Sequence, residues 1–251
     1  MAGSYAELFC FSNFTFLTGA SHPHELAERA LELGYHAIAI TDACSVAGIP
    51  RAWAALKDSP VKLITGSWFE LEDAPAGAAT PRFILLAQSR KGYGQLCQLI
   101  TTGRRRAEKG QYQLFARDIE THELDHCLCL WQPPSTTAAS YEQAVACGEW
   151  LQRLFEQRLR IGATRTLEAG EEQQLARVRA LAEYLQLAVA ATGEVHMHAR
   201  ERQPLQDVLT ALRHHARSKT PATACSRTVN ATCARSRCCN ACFRKPGFRK
   251  P

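Results

Sequence analysis

Ser21-His22-Pro23-His24-Glu25-Leu26-Ala27-Glu28-Arg29-Ala30-Leu31-Glu32-Leu33-Gly34-Tyr35-His36-Ala37-Ile38-Ala39-Ile40-Thr41-Asp42 is the stretch that decides the fold class. Its first half has helical period: Leu26, Ala30 and Leu33 fall on one face, the proline sits in the first turn where a missing N–H costs little, and Gly34 is placed to end the helix. Ser21 is the residue expected to cap the helix's orphan amides. The second half, His36 to Thr41, is an apolar run with no polar alternation, which is how a strand covered on both faces reads. A helix feeding such a strand, with a carboxylate just past its end, is half of a strand-helix-strand unit.

The same unit recurs outward in both directions. Leu8 to Phe11, Val61 to Gly66, Arg82 to Ala87, Cys127 to Trp131 and Leu187 to Thr192 are further expected strands. Helices are expected after Asp42, from about Gly92 to Arg106, over Tyr141 to Phe155 and over Glu168 to Tyr184. This alternation predicts an α/β protein built on a parallel sheet with helical crossovers. No glycine-rich turn follows the first strand, which favours a barrel-like arrangement over an open doubly wound sheet. Asp73 to Pro81 and Ser135 to Ala139 are small-residue loops that need no functional reading.

Composition divides the chain at about residue 213. Up to Arg213 there are 21 Lys and Arg against all 24 acidic residues, a net of −3, whereas the last 38 residues hold nine basic residues and no acidic one. The overall +6 therefore belongs to the tail, and residues 1–213 carry no domain-wide basic footprint for nucleic acid. Cys10, Cys44, Cys97, Cys127, Cys129 and Cys147 mostly sit in apolar segments and are expected to be small buried hydrophobes. With no basic, apolar leader and no run approaching the roughly 20 apolar residues of a membrane span, the expected location is cytoplasmic, with no membrane partner.

The tail, 214–251, is rich in Ser, Thr, Ala, Arg, Cys and Pro, and is expected to be disordered or out of frame. Cys225, Cys233, Cys238, Cys239 and Cys242, with His214 and His215, keep open a zinc-stabilised basic module that docks on nucleic acid, although the spacing fits no standard zinc site.

Several stretches carry a resemblance to a known family. Tyr5 to Pro23 resembles the opening of error-prone bacterial C-family DNA polymerases, and Ala37-Ile38-Ala39-Ile40-Thr41-Asp42 their next strand. Lys62 to Ser67 and Gly92 to Cys97, leading to Arg104-Arg105-Arg106-Ala107-Glu108-Lys109-Gly110, follow in the family's order. Thr192 to His198 and then Arg202 to Leu209 complete it. The resemblance covers about residues 5–213 and implies an N-terminal PHP domain, a distorted (β/α)7-type barrel, expected here to be incomplete at its C-terminus. Polymerase palm, fingers and thumb would follow in a full-length relative. The resemblance implies DNA as a partner through those missing domains, translesion or replication proteins as further partners, and Mg²⁺ as the cofactor of the parent polymerase.

PHP domains that act as phosphoesterases resemble one another in a set of His, Asp and Glu ligands at strand ends, where metals lower the pKa of a water and neutralise a phosphate. At the matching positions this chain has Phe9 and Phe11 for a His-x-His motif, Ala43 after the retained Asp42, and Trp68 where an acidic ligand is expected, with Glu70 two residues on. Glu194 and His196 answer the last motif, with His198 beside it. Asp42, Glu194, His196 and His198 are thus a vestigial metal site, with Phe9, Phe11, Ala43 and Trp68 as lost ligand positions. The expectation is no catalytic residue and no cofactor in this stretch, with room for one residual divalent metal and a structural role. The rival enzyme reading is a metal-dependent phosphoesterase or 3′–5′ exonuclease using those four residues. Arg104, Arg105, Arg106 and Lys109 are either a contact to a phosphate backbone or another domain, or a solvated helix end whose cations suit the helix dipole. His22 and His24 are expected on the surface of the first helical turn.

Overall fold

The computed structural model describes residues 5–135, 137–165 and 170–214; the readings placed on residues 215–251, the zinc module among them, lie outside these. Seven strands hydrogen-bond in chain order, the order that a (β/α)7-type barrel requires: β1 (Ala6–Glu7), β2 (Ala37–Ile40), β3 (Lys62–Glu70), β4 (Arg82–Ala87), β5 (Cys127–Trp131), β6 (Leu159–Thr164) and β7 (Val189–Thr192). Seven α-helices are described: α1 (Pro23–Glu32), α2 (Ile49–Leu56), α3 (Arg90–Arg106), α4 (Ala116–Thr121), α5 (Tyr141–Phe155), α6 (Glu171–Tyr184) and α7 (Gln203–Arg213). The α/β class is as the sequence predicts.

The parallel sheet is a correction. β1, β2 and β3 are parallel neighbours, and so are β5 and β6, but β4 runs antiparallel to both β3 and β5. The small-residue loop at 73–81 explains the reversal, because it joins β3 to β4 as a hairpin and leaves no room for a crossover helix. The sequence reading also lacked β6, α4 and α7, and placed the first strand at Leu8 to Phe11. There the regular ladder ends at Glu7, and Cys10 forms an isolated parallel bridge to Val195 while its amide and carbonyl bond to Thr41.

The described residues fall into two compact units. One takes those of residues 1–65, 164–169 and 191–250 and the other those of 66–163 and 170–190. The first is built on a core of Cys10, Leu26, Ala27, Ala30, Tyr35, Ile38, Ile40, Ala52, Leu56 and Val195, in which α1 and α2 pack together over β2. The helix reading holds in its middle and end. Leu26 and Ala30 are fully buried, and Gly34 adopts φ +68°, the left-handed turn that lets the amide of Tyr35 reach the carbonyl of Ala30. Its start is corrected: His22 holds the cap position and its amide donates to the Glu25 carboxylate at 2.8 Å, whereas Ser21 is turned toward His198. In the second unit, Phe69, Phe83, Leu85, Leu96, Leu99, Trp131 and Phe155 form a fully buried core. Cys10, Cys44, Cys127, Cys129 and Cys147 are buried and Cys97 is half-buried, as expected of small hydrophobes.

Candidate functional site

Three segments of the first unit meet at the expected metal site: the loop after β1, the residues following β2, and those following β7. The loop, 12–20, closes tightly because Gly19 lies against the carbonyl of Ser12, where a Cβ would stand only 2.2 Å from that oxygen. Leu17, Cys44 and Glu194, one in each segment, have positive φ of 57°, 45° and 48°. For side-chain-bearing residues that conformation is uncommon and needs surrounding contacts to hold it.

Asp42 is fully buried and is engaged by this loop. Its carboxylate accepts from the Ser12 amide at 2.8 Å, the Ser12 hydroxyl at 2.7 Å and the Thr15 hydroxyl at 2.7 Å. Burial pushes its pKa up, against the pull of those same donors. The amide of Ala43, at a position where the resemblance calls for a ligand, donates to the Thr15 hydroxyl at 3.0 Å. Donors thus surround Asp42, which does the work of a cross-brace between the β2 end and the loop.

Phe9 and Phe11 are 3% and 5% exposed and pack edge to face with ring centres 5.0 Å apart. Phe11 also lies 5.3 Å from the ring of His196. Two rings therefore fill space at the positions where the resemblance calls for imidazoles. His196 turns Nδ1 to the Thr18 carbonyl at 3.3 Å and has Nε2 3.9 Å from the Glu194 carboxylate. A carbonyl on one ring nitrogen is how a metal-binding histidine is usually oriented.

His198 is drawn away into a separate cluster. Its Nδ1 lies 2.7 Å from the Ser21 hydroxyl and 3.8 Å from Glu25, and Glu25 also pairs with Arg202. Burial, opposed by Glu25, holds its pKa below the usual histidine value. His22 and His24 are half-buried and stack on each other at 5.4 Å, where a surface position was expected. Of these four positions, then, Glu194 and His196 stand together, Asp42 is tied to loop 12–20, whose Thr18 carbonyl faces His196, and His198 points into other company. Among the described residues no group of three or more His, Cys, Asp or Glu could hold a metal ion, so the residues present do not fit a multinuclear cluster.

In the second unit, Trp68 is half-buried within β3 opposite Ile84, and Glu70 is taken up by a cross-strand ion pair with Arg82 at 2.6 Å. The basic run has two members with structural work. Arg106 makes a two-pronged pair with Asp118, at 2.6 and 3.0 Å, and Arg104 donates to the carbonyls of Gly110 and Gln111 while lying over Tyr112. Arg105 and Lys109 are exposed.

One residue of the first unit escaped sequence reasoning. Glu7 is 2% exposed, and its carboxylate accepts from the Tyr5 hydroxyl at 2.7 Å, the amides of Leu8 and Phe9 at 3.0 Å and the amide of Gly193 at 2.9 Å. It clamps the β1 end to the residues after β7. The only signal was an acidic side chain within an otherwise apolar opening, which does not reveal its partner Gly193, 186 residues away.

The PHP domain family model matches residues 8–157 of this chain. Over 209 residues the chain is 50% identical to the error-prone DNA polymerase of Methylococcus capsulatus, covering 83% of this chain and 19% of that protein. Over 212 residues it is 48% identical to the error-prone DNA polymerase of Vibrio vulnificus, covering 84% and 19%. The chain thus spans about a fifth of the length of the curated relatives it matches. A solved structure from Bifidobacterium adolescentis, assigned as a metal-dependent phosphoesterase, shares the fold with a TM-score of 0.56 at 12% identity, over 77% of this chain and 88% of that one. Sequence order, strand order and the family match agree, and the chain belongs to the PHP domain family.

Proposed function

We propose that this chain serves as the PHP domain of an error-prone DNA polymerase, with a structural role and without phosphoesterase chemistry of its own. The observation that supports the reading is the Phe9–Phe11 pair, with Phe11 against His196, at positions where the resemblance calls for metal ligands. The 50% identity to an error-prone polymerase supports assigning the domain to that parent. In this reading nucleotidyl transfer with Mg²⁺ on a DNA primer, in replication or repair in the cytoplasm, belongs to the parent protein, and the parent makes the contacts to DNA and to other replication or translesion proteins. Glu194 and His196 supply at most a loose seat for one divalent ion, and Asp42 braces the fold. No helix of the described residues is long and apolar enough to cross a membrane, which accords with a role on DNA.

The test is elemental analysis of the purified chain together with hydrolysis of a phosphodiester substrate in added Mn²⁺ or Zn²⁺. The expected result is substoichiometric metal and no turnover. Stoichiometric metal with turnover abolished by His196→Ala would overturn the structural reading in favour of the phosphoesterase.

A further inference from the structure

Helix α7 is folded inside out. Its inward side presents Gln206, Thr210 and Ala211, which are 1%, 3% and 8% exposed. The Oε1 of Gln206 and the hydroxyl of Thr210 have no hydrogen-bond partner there. Leu205, Val208 and Leu212, at the i, i+3, i+7 spacing of one helical face, are 41%, 47% and 56% exposed. Beside α7 runs loop 12–20, held there by hydrogen bonds from Gln206 to the Thr18 carbonyl at 2.9 Å and from Arg213 to the Thr18 hydroxyl at 3.0 Å. Two residues before Thr18, Phe16 is 82% exposed. A helix that turns amide and hydroxyl inward and aliphatic side chains outward is arranged to bury its outer face against something else.

We infer that the face of Leu205, Val208 and Leu212 is the seat of an apolar surface on the polymerase portion of an error-prone DNA polymerase. The occupant follows from chain length. The relatives match this chain over about a fifth of their own length, so most of their mass lies outside the match. Helix α7 is the last described element of the chain. The inference rests on the reading of the chain as such a polymerase's PHP domain.

Hydroxyl-radical footprinting tests it on two proteins, the 251-residue chain and the Methylococcus capsulatus polymerase with residues 5–214 of this chain in place of its matching segment, both normalised to an added dosimeter peptide. Leu205, Val208 and Leu212 should be oxidised readily in the chain alone and roughly tenfold more slowly in the chimera, as side chains in the dry centre of an interface are. Val208→Glu in the chimera should restore oxidation at Leu205 and Leu212. Equal oxidation in the two proteins overturns the inference. So does slow oxidation in the chain alone, and sedimentation then says whether a second copy or the chain's own remainder covers the face. Primer extension by the chimera reads the domain assignment separately: synthesis of DNA with an oxidised α7 sinks the docking face alone, whereas a soluble chimera that synthesises none sinks the assignment. Should the chimera be insoluble, the helix matching α7 in the unaltered Methylococcus polymerase is footprinted, and free oxidation there overturns the inference as well.

Discussion

A carboxylate at 2% exposure is held in this fold only because four donors converge on it, and Glu7 shows what that costs. Burial raises its pKa from the ordinary 4.5, against the lowering pull of Gly193, Tyr5, Phe9 and Leu8. A carboxyl whose folded pKa lies above its unfolded value stabilises the fold fully below the unfolded value, and that contribution is lost as pH rises through the folded one. Glu7→Gln keeps an acceptor for the three amides and has no charge to desolvate, so its stability relative to the native chain should improve as pH rises from 4.5. Glu7→Ala strands the amides and should cost about 1–3 kcal/mol near pH 4.5, a cost that shrinks as pH rises because the native chain alone carries the buried charge. Urea unfolding midpoints across this range check both, and a parallel pH dependence for the native chain and Glu7→Gln would show that Glu7 does not carry the effect. The sequence line names Phe9, Phe11 and Ala43, and the resemblance makes them the positions where ligands are expected. What Asp42 does instead was not legible, because its partners Ser12 and Thr15 are set by the closure of loop 12–20 over Gly19.

At the scale of elements, the basic run at the end of α3 changes meaning once its partners are seen. Arg106 closes on Asp118, whose carboxylate also accepts from the Phe115 amide at 2.8 Å and so caps the start of α4. The Arg106 hydrogen bond is the largest influence holding the Asp118 pKa below its ordinary 3.8. A depressed carboxylate stabilises above its unfolded pKa and loses that contribution as pH falls through the folded one, so this joint should weaken only in acid. Arg106→Gln should destabilise by about 1–3 kcal/mol at neutral pH, a range set by an Asp118 that is nearly buried and an Arg106 that is partly solvated. Arg105→Gln should shift stability by no more than about 0.5 kcal/mol. Urea titrations of the two variants separate the roles, and equal, small effects would return Arg106 to the status of a surface charge. A run of three arginines reads as one feature in sequence, but helical geometry sends its members to different partners. The same limit explains the sheet: apolar runs at β2, β4 and β5 were visible, but periodicity carries no strand direction, and the reversal at β4 comes from the hairpin loop. Helix α7 escaped notice for a related reason, since Gln206 and Thr210 occupy the positions where a core-facing pattern calls for apolar residues.

For the whole molecule, charge decides what the fold can hold by itself. Residues up to Arg213 sum to −3, and of the basic run there Arg104 and Arg106 are already occupied with carbonyl and carboxylate groups. The nine basic residues beyond them, from Arg217 to Lys250, carry the entire positive excess of the chain. Sequence-independent attraction to a phosphate backbone scales with the number of cations that displace counterions, with a logarithmic salt slope of roughly −0.9 per phosphate neutralised. Affinity of this chain for duplex DNA should therefore reside in those nine residues and fall steeply with salt. Replacing all nine with Gln should abolish retention of a fluorescent duplex at about 50 mM salt and flatten the slope, with the unfolding midpoint of the rest as the check that the fold is intact. A variant that kept both affinity and slope would place the contact on the folded part. Arg105 and Lys109, the exposed members of the α3 run, would then be the residues to neutralise next.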